Sequence, residues 1–245
     1  MTGLAIDDAA WASAWRRRSP GDKLLVSLGL VLSALLLPVW PGSLLVGLAA
    51  VVLALGPARV PVRTFARAVR APLAFIVIGA LTSVVEVGDG LGWAPDAAAQ
   101  AGSLVGHAVA GSAAVLLLAT TTPMSDLLPA LQRLRVPAAV VEVAGLVYRM
   151  LFVLLTSLAT IREAQTARMG YATVRSSYRS SGALAAAVLT RSWDRARRLQ
   201  DGLAGRGLEA GLRVLPETLP ASRRFEAATV AGLAALAAVS LGVAS

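Results

Sequence analysis

The strongest constraint on this chain is a set of apolar stretches that approach or reach the length of a membrane-spanning helix. They are residues 24–40, 43–56, 72–87, 103–120 and 227–243. A helix needs roughly 17 to 25 apolar residues to cross the hydrocarbon core of a bilayer. The whole chain is apolar as well, because 56% of its 245 residues are hydrophobic, 15% are charged and its mean hydropathy is +0.69. This composition predicts an all-α integral membrane protein.

A sixth apolar stretch, residues 136–160, is long enough to cross the membrane, but charged residues within it and after it oppose a crossing. Crossing there would put residues 162–224 on the outer side, and that region has twelve Arg against five acidic residues, which opposes the positive-inside tendency. Glu142 and Arg149 would each cost about 2.5 to 3.5 kcal/mol at the bilayer centre. We therefore expect this helix to lie along or beneath the spans. The prediction is five transmembrane helices, or six if 136–160 also crosses, plus cytoplasmic amphipathic helices.

The distribution of basic residues predicts the orientation. Arg16, Arg17, Arg18 and Lys23 precede the first span, and Arg59, Arg63, Arg67 and Arg70 lie between the second and third spans. The loop at residues 88–102 contains no Lys or Arg. Because cytoplasmic loops carry the excess of basic residues, we expect a multi-pass protein of the cytoplasmic membrane with its N-terminus in the cytoplasm.

Three regions follow from this topology: a four-span membrane domain at 1–121, a cytoplasmic helical region at 122–225, and a C-terminal transmembrane helix at 226–245. The cytoplasmic region opens with a short amphipathic helix that Thr122 is expected to cap. Helical patterning then continues to Met169, with Gly170 expected in the left-handed conformation that ends helices. Residues 171–182 are basic and rich in serine, which indicates an exposed connector, and a second long helix is predicted from 183 to about 204.

Both predicted cytoplasmic helices end in an arginine that is followed closely by a glycine, in "TARMG" and "AGRG". Taken singly, such an ending needs only helix termination to explain it, because arginine complements the helix dipole and glycine ends helices. The pair, on the cytoplasmic side, favours a further use. The guanidinium group can fork onto carboxylates or carbonyls of a partner protein.

The chain has few residues of the types that catalysis or metal binding requires. The chain has no Cys and a single His, His107, and no glycine-lysine motif of the ATP-binding type. We therefore expect neither an enzyme nor a cofactor or metal site. The net charge of +9 does not favour nucleic acid, because the arginines flank apolar runs. A membrane-anchored binder of nucleic acid or of lipid surfaces, using the basic region 162–213, remains an alternative.

Several segments in order resemble the transmembrane T component of energy-coupling factor transporters, of the cobalt/nickel CbiQ type. They are "IDDAAWASAWRRRSPGDKLL", "TTPMSDLLPALQRLRVPAAVVEVAGLVYRMLFVLL", "REAQTARMG" and "LAGRG". The resemblance implies a non-catalytic subunit that assembles with two ABC ATPase subunits and a substrate-binding S component. It also implies that the cytoplasmic helices are coupling helices.

The resemblance further implies two Ala-Arg-Gly type motifs that contact the ATPases. By position, the first motif is Ala167, Arg168 and Met169, and the second is Gly205, Arg206 and Gly207. Both arginines are retained, whereas Met stands for Gly in the first motif and Gly stands for Ala in the second. Cobalt is the substrate that the resemblance suggests, with nickel or a vitamin such as biotin as alternatives, since the S component selects the substrate.

A ridge of small residues runs along the fourth predicted span at every fourth position. Its members are Gly102, Gly106, Ala110 and Ala114. Small residues at this spacing let two membrane helices approach closely. The ridge is expected to pack against another helix of this chain or against the S component.

Overall fold

The structure is a computed structural model, and it describes residues 5–87, 91–93, 97–205 and 221–244. The first half contains α1 (Ala5–Ala12), a 3-10 turn (Ala14–Arg17), α2 (Pro20–Leu36), a π-helical segment (Val39–Ser43), α3 (Leu44–Leu55), α4 (Val62–Val84), β1 (Val85–Val87) and β2 (Leu91–Trp93). The second half contains α5 (Ala97–Thr121), α6 (Met124–Arg133), α7 (Ala138–Ala167), α8 (Val174–Ala204) and α9 (Arg223–Ala244). Helices dominate the described residues, which confirms the predicted all-α membrane protein.

Within the described residues, four helices are long and apolar enough to cross a membrane. They are Val62–Ser83, Ala99–Thr121, Ala138–Ala167 and Arg223–Val243. The first two predicted spans are shorter helices, α2 with 17 residues and α3 with 12. Pro38 and Pro41 lie between them, and proline interrupts a helix because it lacks the backbone N–H. The chain is thus a multi-pass membrane protein whose N-terminal hairpin is built from short helices.

The predicted third span begins in the wrong place. The α4 helix starts at Val62, ten residues before Pro72, and it contains Pro72 in its interior. Membrane helices tolerate such a proline because neighbouring groups satisfy the freed carbonyl. The helix ends at Val84, and Val85 then pairs with Trp93 in a two-stranded antiparallel hairpin. The predicted stretch 72–87 therefore starts too late and ends three residues beyond the helix.

Contacts between residues divide the chain into two compact units. The first, here called the α5 unit, comprises Leu4–Leu127 and Glu217–Ser245, and the second, the α7–α8 unit, contains Leu128–Pro216. The three-part division at 121 and 225 stays a prediction, because it is defined by position relative to the membrane.

The core of the α5 unit is built largely from small residues where α5 packs on its neighbours. Ala50 and Ala54 of α3 and Ala110 and Ala114 of α5 are almost completely buried. A Cβ atom added to Gly106 would lie 2.8 Å from Ser43 Oγ. Alanine and glycine allow helix backbones to approach closely in membrane proteins, so these small side chains permit the close packing of α5 on α3 and on the Val39–Ser43 segment.

A buried polar layer joins the N-terminal end of α2 to the C-terminal end of α5. Lys23 Nζ donates to the Thr121 carbonyl at 3.1 Å, and Ser27 Oγ donates to the Ala114 carbonyl at 2.6 Å. Arg16 forms an ion pair with Asp126 at 2.6 Å. These partners satisfy polar groups that would otherwise be costly to bury. The predicted capping role of Thr122 is wrong, because its buried Oγ1 atom has no hydrogen-bond partner.

Candidate functional site at the ends of α7 and α8

The first candidate motif lies where α7 ends. The Gly170 N–H donates to the Gln165 carbonyl at 2.8 Å, and the Met169 N–H donates to the Thr166 carbonyl at 3.0 Å. These two bonds form a Schellman motif, which satisfies carbonyls of the last helical turn that have no partner in the helix. Arg168 is the C-cap residue of α7. The motif fixes the direction in which the chain leaves the helix.

The left-handed residue of this ending is Met169, with φ of 58°. The prediction that Gly170 takes this conformation is wrong. Glycine usually occupies the position because any Cβ atom is strained there. Met169 is the residue where the resemblance implies a glycine, and its backbone has the left-handed conformation that glycine adopts without strain. Gly170 has another role at the corner.

Gly170 allows a close approach between the end of α7 and α8. A Cβ atom at this position would lie 2.8 Å from both the Gln165 carbonyl oxygen and Ser180 Oγ. Ser180 Oγ donates to the Gly170 carbonyl at 2.8 Å. The glycine therefore makes room for a contact across the turn, and its requirement is steric.

Side chains complete a hydrogen-bonded corner between the two helices. Gln165 Nε2 donates to the Ser180 carbonyl at 3.1 Å, and Gln165 Oε1 accepts from the Tyr171 hydroxyl at 2.7 Å. The guanidinium group of Arg162 lies 6.0 Å from the Tyr171 ring centroid. Sequence reasoning missed all of these residues, because their pairing depends on how the chain turns between the helices. We call the cluster Gln165, Gly170, Tyr171 and Ser180 the α7–α8 corner.

The predicted serine-rich connector at 171–182 is mostly helix, so that prediction is wrong. The α8 helix begins at Val174, nine residues before its predicted start. Thr173 and Ser176 form a capping box in which each side chain accepts from the other residue's backbone N–H. The spacing of these two residues is the signal that could have located the start. The predicted end near 204 is confirmed by Ala204.

The motif residues Ala167, Arg168 and Met169 are exposed at this corner. Met169 retains 74% of its surface. Among the residues that the structure describes, no ion pair involves Arg168. The guanidinium group of Arg168 is therefore available to another protein. Because its backbone is already fixed, binding would require little further ordering of the chain.

The second candidate motif begins directly after the other end of α8. Gly205 is the C-cap residue, and its N–H donates to the Asp201 carbonyl at 3.0 Å. Arg206 and Gly207 lie outside the described residues. The 31 residues of α8 rise about 45 Å at 1.5 Å per residue. The first motif thus shortly precedes the start of this long helix, and Gly205 lies at its other end.

An apolar groove of about 440 Å³ runs between α7 and α8. Its α7 wall is formed by Leu146, Val147, Met150, Leu151, Leu154, Leu155 and Leu158. Val188, Ala196 and Leu199 face them from α8, with Arg195 also in the lining. Only 6% of the most apolar 18-residue stretch of α7 is buried within the chain. Its mean hydropathy of 2.0 is nevertheless the highest among the four helices that are long enough to cross a membrane. Such a surface requires lipid or another protein to cover it.

The predicted ridge on α5 divides into different environments. Gly106 lies against Val39 and Ser43, and Ala110 contacts Gly47 of α3. Ala114 is completely buried, and its carbonyl accepts the bond from Ser27. A Cβ atom added to Gly102 would meet nothing within 4 Å. Three of the four positions therefore lie within the packed part of the α5 unit.

His107 and the acidic residues do not form a metal site in the part of the chain that the structure describes. The Nδ1 atom of His107 lies 2.6 Å from the Ala34 carbonyl oxygen, and this contact links α5 to α2. No group of three or more His, Cys, Asp or Glu residues with suitable placement for a metal ion occurs among the described residues. His107 thus serves helix packing.

Comparison with known proteins identifies the family. A family model described as CbiQ, cobalt transport protein, matches residues 12–214. A cobalt transport protein CbiQ of Rhodobacter capsulatus is 42% identical over 223 residues, which cover 91% of each chain. The CbiQ of Salmonella typhimurium is 29% identical over 78% of this chain and 90% of its own length. A Methanocorpusculum labreanum protein whose name describes a CbiMQ fusion is 27% identical over 86% of this chain and 37% of its own length. This chain therefore belongs to the CbiQ cobalt transport protein family.

Proposed function

We propose that this chain is the T subunit of an energy-coupling factor importer. In this role it links two cytoplasmic ATPases to a substrate-binding S component, and it catalyses no reaction itself. ATP hydrolysis in separate subunits moves a substrate only if their closure is carried to the membrane part. Long helices with rigid ends can carry such a movement. The proposal includes a cytoplasmic N-terminus, which the arginines before the first apolar run support.

The observation that carries the proposal is the position of Arg168 on the α7–α8 corner. Arg168 is exposed, and its backbone is held by the Schellman bonds on which α7 ends. The hydrogen bond from Gln165 to the Ser180 carbonyl joins the end of α7 to α8 at this corner. A force applied to the guanidinium group would therefore reach both helices. We propose that Arg168 engages one ATPase.

The two ends of α8 suit two separate ATPase subunits. Gly205, at the far end, is followed in sequence by Arg206 and Gly207. A helix of about 45 Å keeps the two motifs apart, so that a single small domain would not contact both. We propose that Arg206 engages the second ATPase. Ala167 and Met169 flank the first contact, and Gly205 and Gly207 flank the second.

The apolar groove between α7 and α8 gives the same pair of helices a second surface. A coupling element needs one contact with the ATPases and another with the part that holds the substrate. The S component is a membrane protein, and the apolar side chains that form most of the groove match such a partner. We propose that the S component packs along this groove.

Cobalt is the proposed substrate. The relatives from Rhodobacter capsulatus and Salmonella typhimurium are named cobalt transport proteins, and the Methanocorpusculum labreanum relative is named a putative fused cobalt transport protein CbiMQ. These names support transport of cobalt by the complex to which this chain contributes. Nickel or a vitamin such as biotin would require a different S component.

Charge reversal of the motif arginines tests the proposal. Arg168→Glu and Arg206→Glu should each reduce co-purification of the co-expressed partner ATPases and uptake of radiolabelled cobalt, because the guanidinium fork is lost and a repulsive charge replaces it. Arg179→Glu is the matched control, since Arg179 is exposed on α8 outside both motifs. Normal assembly and uptake by the double variant Arg168→Glu, Arg206→Glu would contradict the proposal.

A further inference from the structure

A second apolar space lies within the α5 unit. It is a crevice of about 380 Å³ between α2, α3 and α9. The lining residues are Val26 and Leu30 of α2, Ala49, Val52 and Leu53 of α3, and Phe225, Ala228, Thr229, Gly232, Leu233 and Leu236 of α9, together with Trp15. The proposed coupling function makes no use of this space.

The crevice has a fixed shape, because the helices that form it are held together at defined points. A Cβ atom added to Gly29 of α2 would collide with Leu233 of α9. Trp15 and Phe225 pack edge to face with ring centroids 5.5 Å apart. The buried Asp22 carboxylate accepts from the Ser222 N–H at 3.2 Å, which anchors the start of α9. By contrast, a Cβ atom on Gly232 would meet nothing within 4 Å, so the space beside it is open.

One end of the crevice is positively charged. The guanidinium carbon of Arg18 lies 4.4 Å from the centroid of Phe225 and 5.9 Å from that of Trp15, and both rings line the crevice. Arg223 and Arg224 precede Phe225 in the first turn of α9, and Arg17 precedes Arg18. Two carboxylates, Asp22 and Glu226, lie in the first turns of α2 and α9. Four arginines against two carboxylates leave this end positive.

The depth of the crevice matches one leaflet of a bilayer. Its lining on α9 runs from Phe225 to Leu236, which is about 16 Å along a helix axis. The hydrocarbon core of a bilayer is about 30 Å thick, so the crevice reaches from the charged end to about its middle. An acyl chain occupies this range of depths, and its headgroup lies at the level of the arginines.

We propose that this crevice binds one acyl chain of an anionic phospholipid whose phosphate pairs with Arg18. The apolar walls exclude a polar ligand, while the arginines at one end select a negative headgroup. Arginine suits phosphate because its planar donors can bind two oxygens at once. The bound lipid would fill the space between α9 and the α2–α3 hairpin.

Native mass spectrometry of the full chain, released from nanodiscs of equal phosphatidylglycerol and phosphatidylcholine with identical acyl chains, tests the proposal. Wild-type protein should retain one phosphatidylglycerol. Gly232→Leu should reduce the retained fraction at least fivefold by filling the crevice, and Gly79→Leu is its control, since a Cβ atom there also meets open space. Arg18→Gln should lower the preference for phosphatidylglycerol about fivefold, the equivalent of about 1 kcal/mol per basic residue at an anionic surface.

Ala228→Phe is a second filling variant, to be used if Gly232→Leu does not fold, and it should give the same loss. Arg63→Gln is the control for Arg18→Gln, because Arg63 is an exposed arginine on α4. Equal retention of the two lipids by wild-type protein would overturn the proposal. Retention of phosphatidylglycerol at the wild-type level by a folded filling variant would overturn it as well.

Discussion

The side-chain amide nitrogen of Gln165 donates to the backbone carbonyl of Ser180 at 3.1 Å, across the turn between α7 and α8. The amide oxygen of the same side chain accepts from the Tyr171 hydroxyl at 2.7 Å. One residue in the last turn of α7 thus holds both the connecting turn and the first half of α8. This arrangement makes the α7–α8 corner rigid at the point where Arg168 leaves the helix.

Gln165→Ala should therefore loosen the corner. Loss of two hydrogen bonds of about 0.5 to 1.5 kcal/mol each should lower the free energy of local opening, seen as faster amide hydrogen exchange in residues 165–180. Arg168 should then transmit movement less well, and cobalt uptake should fall while the ATPases remain bound. Gln200→Ala is the control, because Gln200 is exposed near the other end of α8. Unchanged exchange in 165–180 would contradict the bracing role.

Met169→Gly should stabilise the protein. Met169 has φ of 58° and is 74% exposed, so its substitution removes little packing, and the relief of left-handed strain is worth about 1 kcal/mol. Unfolding in mixed micelles should report the gain. Met169→Ala is the matched control, since it shortens the side chain but keeps the strained Cβ atom. An equal gain in the alanine variant would mean that the strain is not the cause.

Gly170→Ala should have the opposite effect one residue later. The new Cβ atom would lie 2.8 Å from the Gln165 carbonyl oxygen and from Ser180 Oγ, and such overpacking costs about 1 to 3 kcal/mol. Gly182→Ala is the control within α8, where nothing lies within 4 Å of the added atom. In a helix interior this change should stabilise by about 1 kcal/mol. The two variants should thus shift the unfolding transition in opposite directions, and a shared direction would refute the steric assignment.

The sequence could predict the membrane class, because apolar length and composition reflect the solvent of the whole chain. The long helices at 97–121 and 223–244 agree closely with the predicted spans at 103–120 and 227–243 for the same reason. The predicted span at 72–87 begins ten residues too late, because α4 starts at Val62 and runs through Pro72. Within a membrane, a proline in a helix interior is tolerated.

The corner could be predicted only in part. The position of Arg168 at a helix end followed from the order of residues in "TARMG", since helix ends have local signals. The use of Gly170 for a close approach to Ser180, ten residues away, could not be predicted, because no local signal reports that contact. The serine-rich stretch at 171–182 suggested a loop by composition, whereas the Thr173 capping box and packing against α7 favour a helix.

Gly106→Ala should destabilise the α5 unit, because the ridge on α5 has no room at this position. The added Cβ atom would lie 2.8 Å from Ser43 Oγ and 2.9 Å from Val39 Cγ1. Both atoms belong to the short π-helical segment that connects α2 to α3, which α5 supports. We expect a loss of about 1 to 3 kcal/mol, as for other overpacked cores, measured by unfolding in mixed micelles.

Gly102→Ala is the matched control, because it lies one turn earlier on the same helix and its added atom would meet nothing within 4 Å. This change should stabilise the helix by up to about 1 kcal/mol, since alanine loses less backbone entropy than glycine. If both substitutions were tolerated equally, the close approach at Gly106 would not be a requirement of the fold. If Gly102→Ala kept the α5 unit stable but reduced recovery of the S component, that end of the ridge would instead belong to the partner interface.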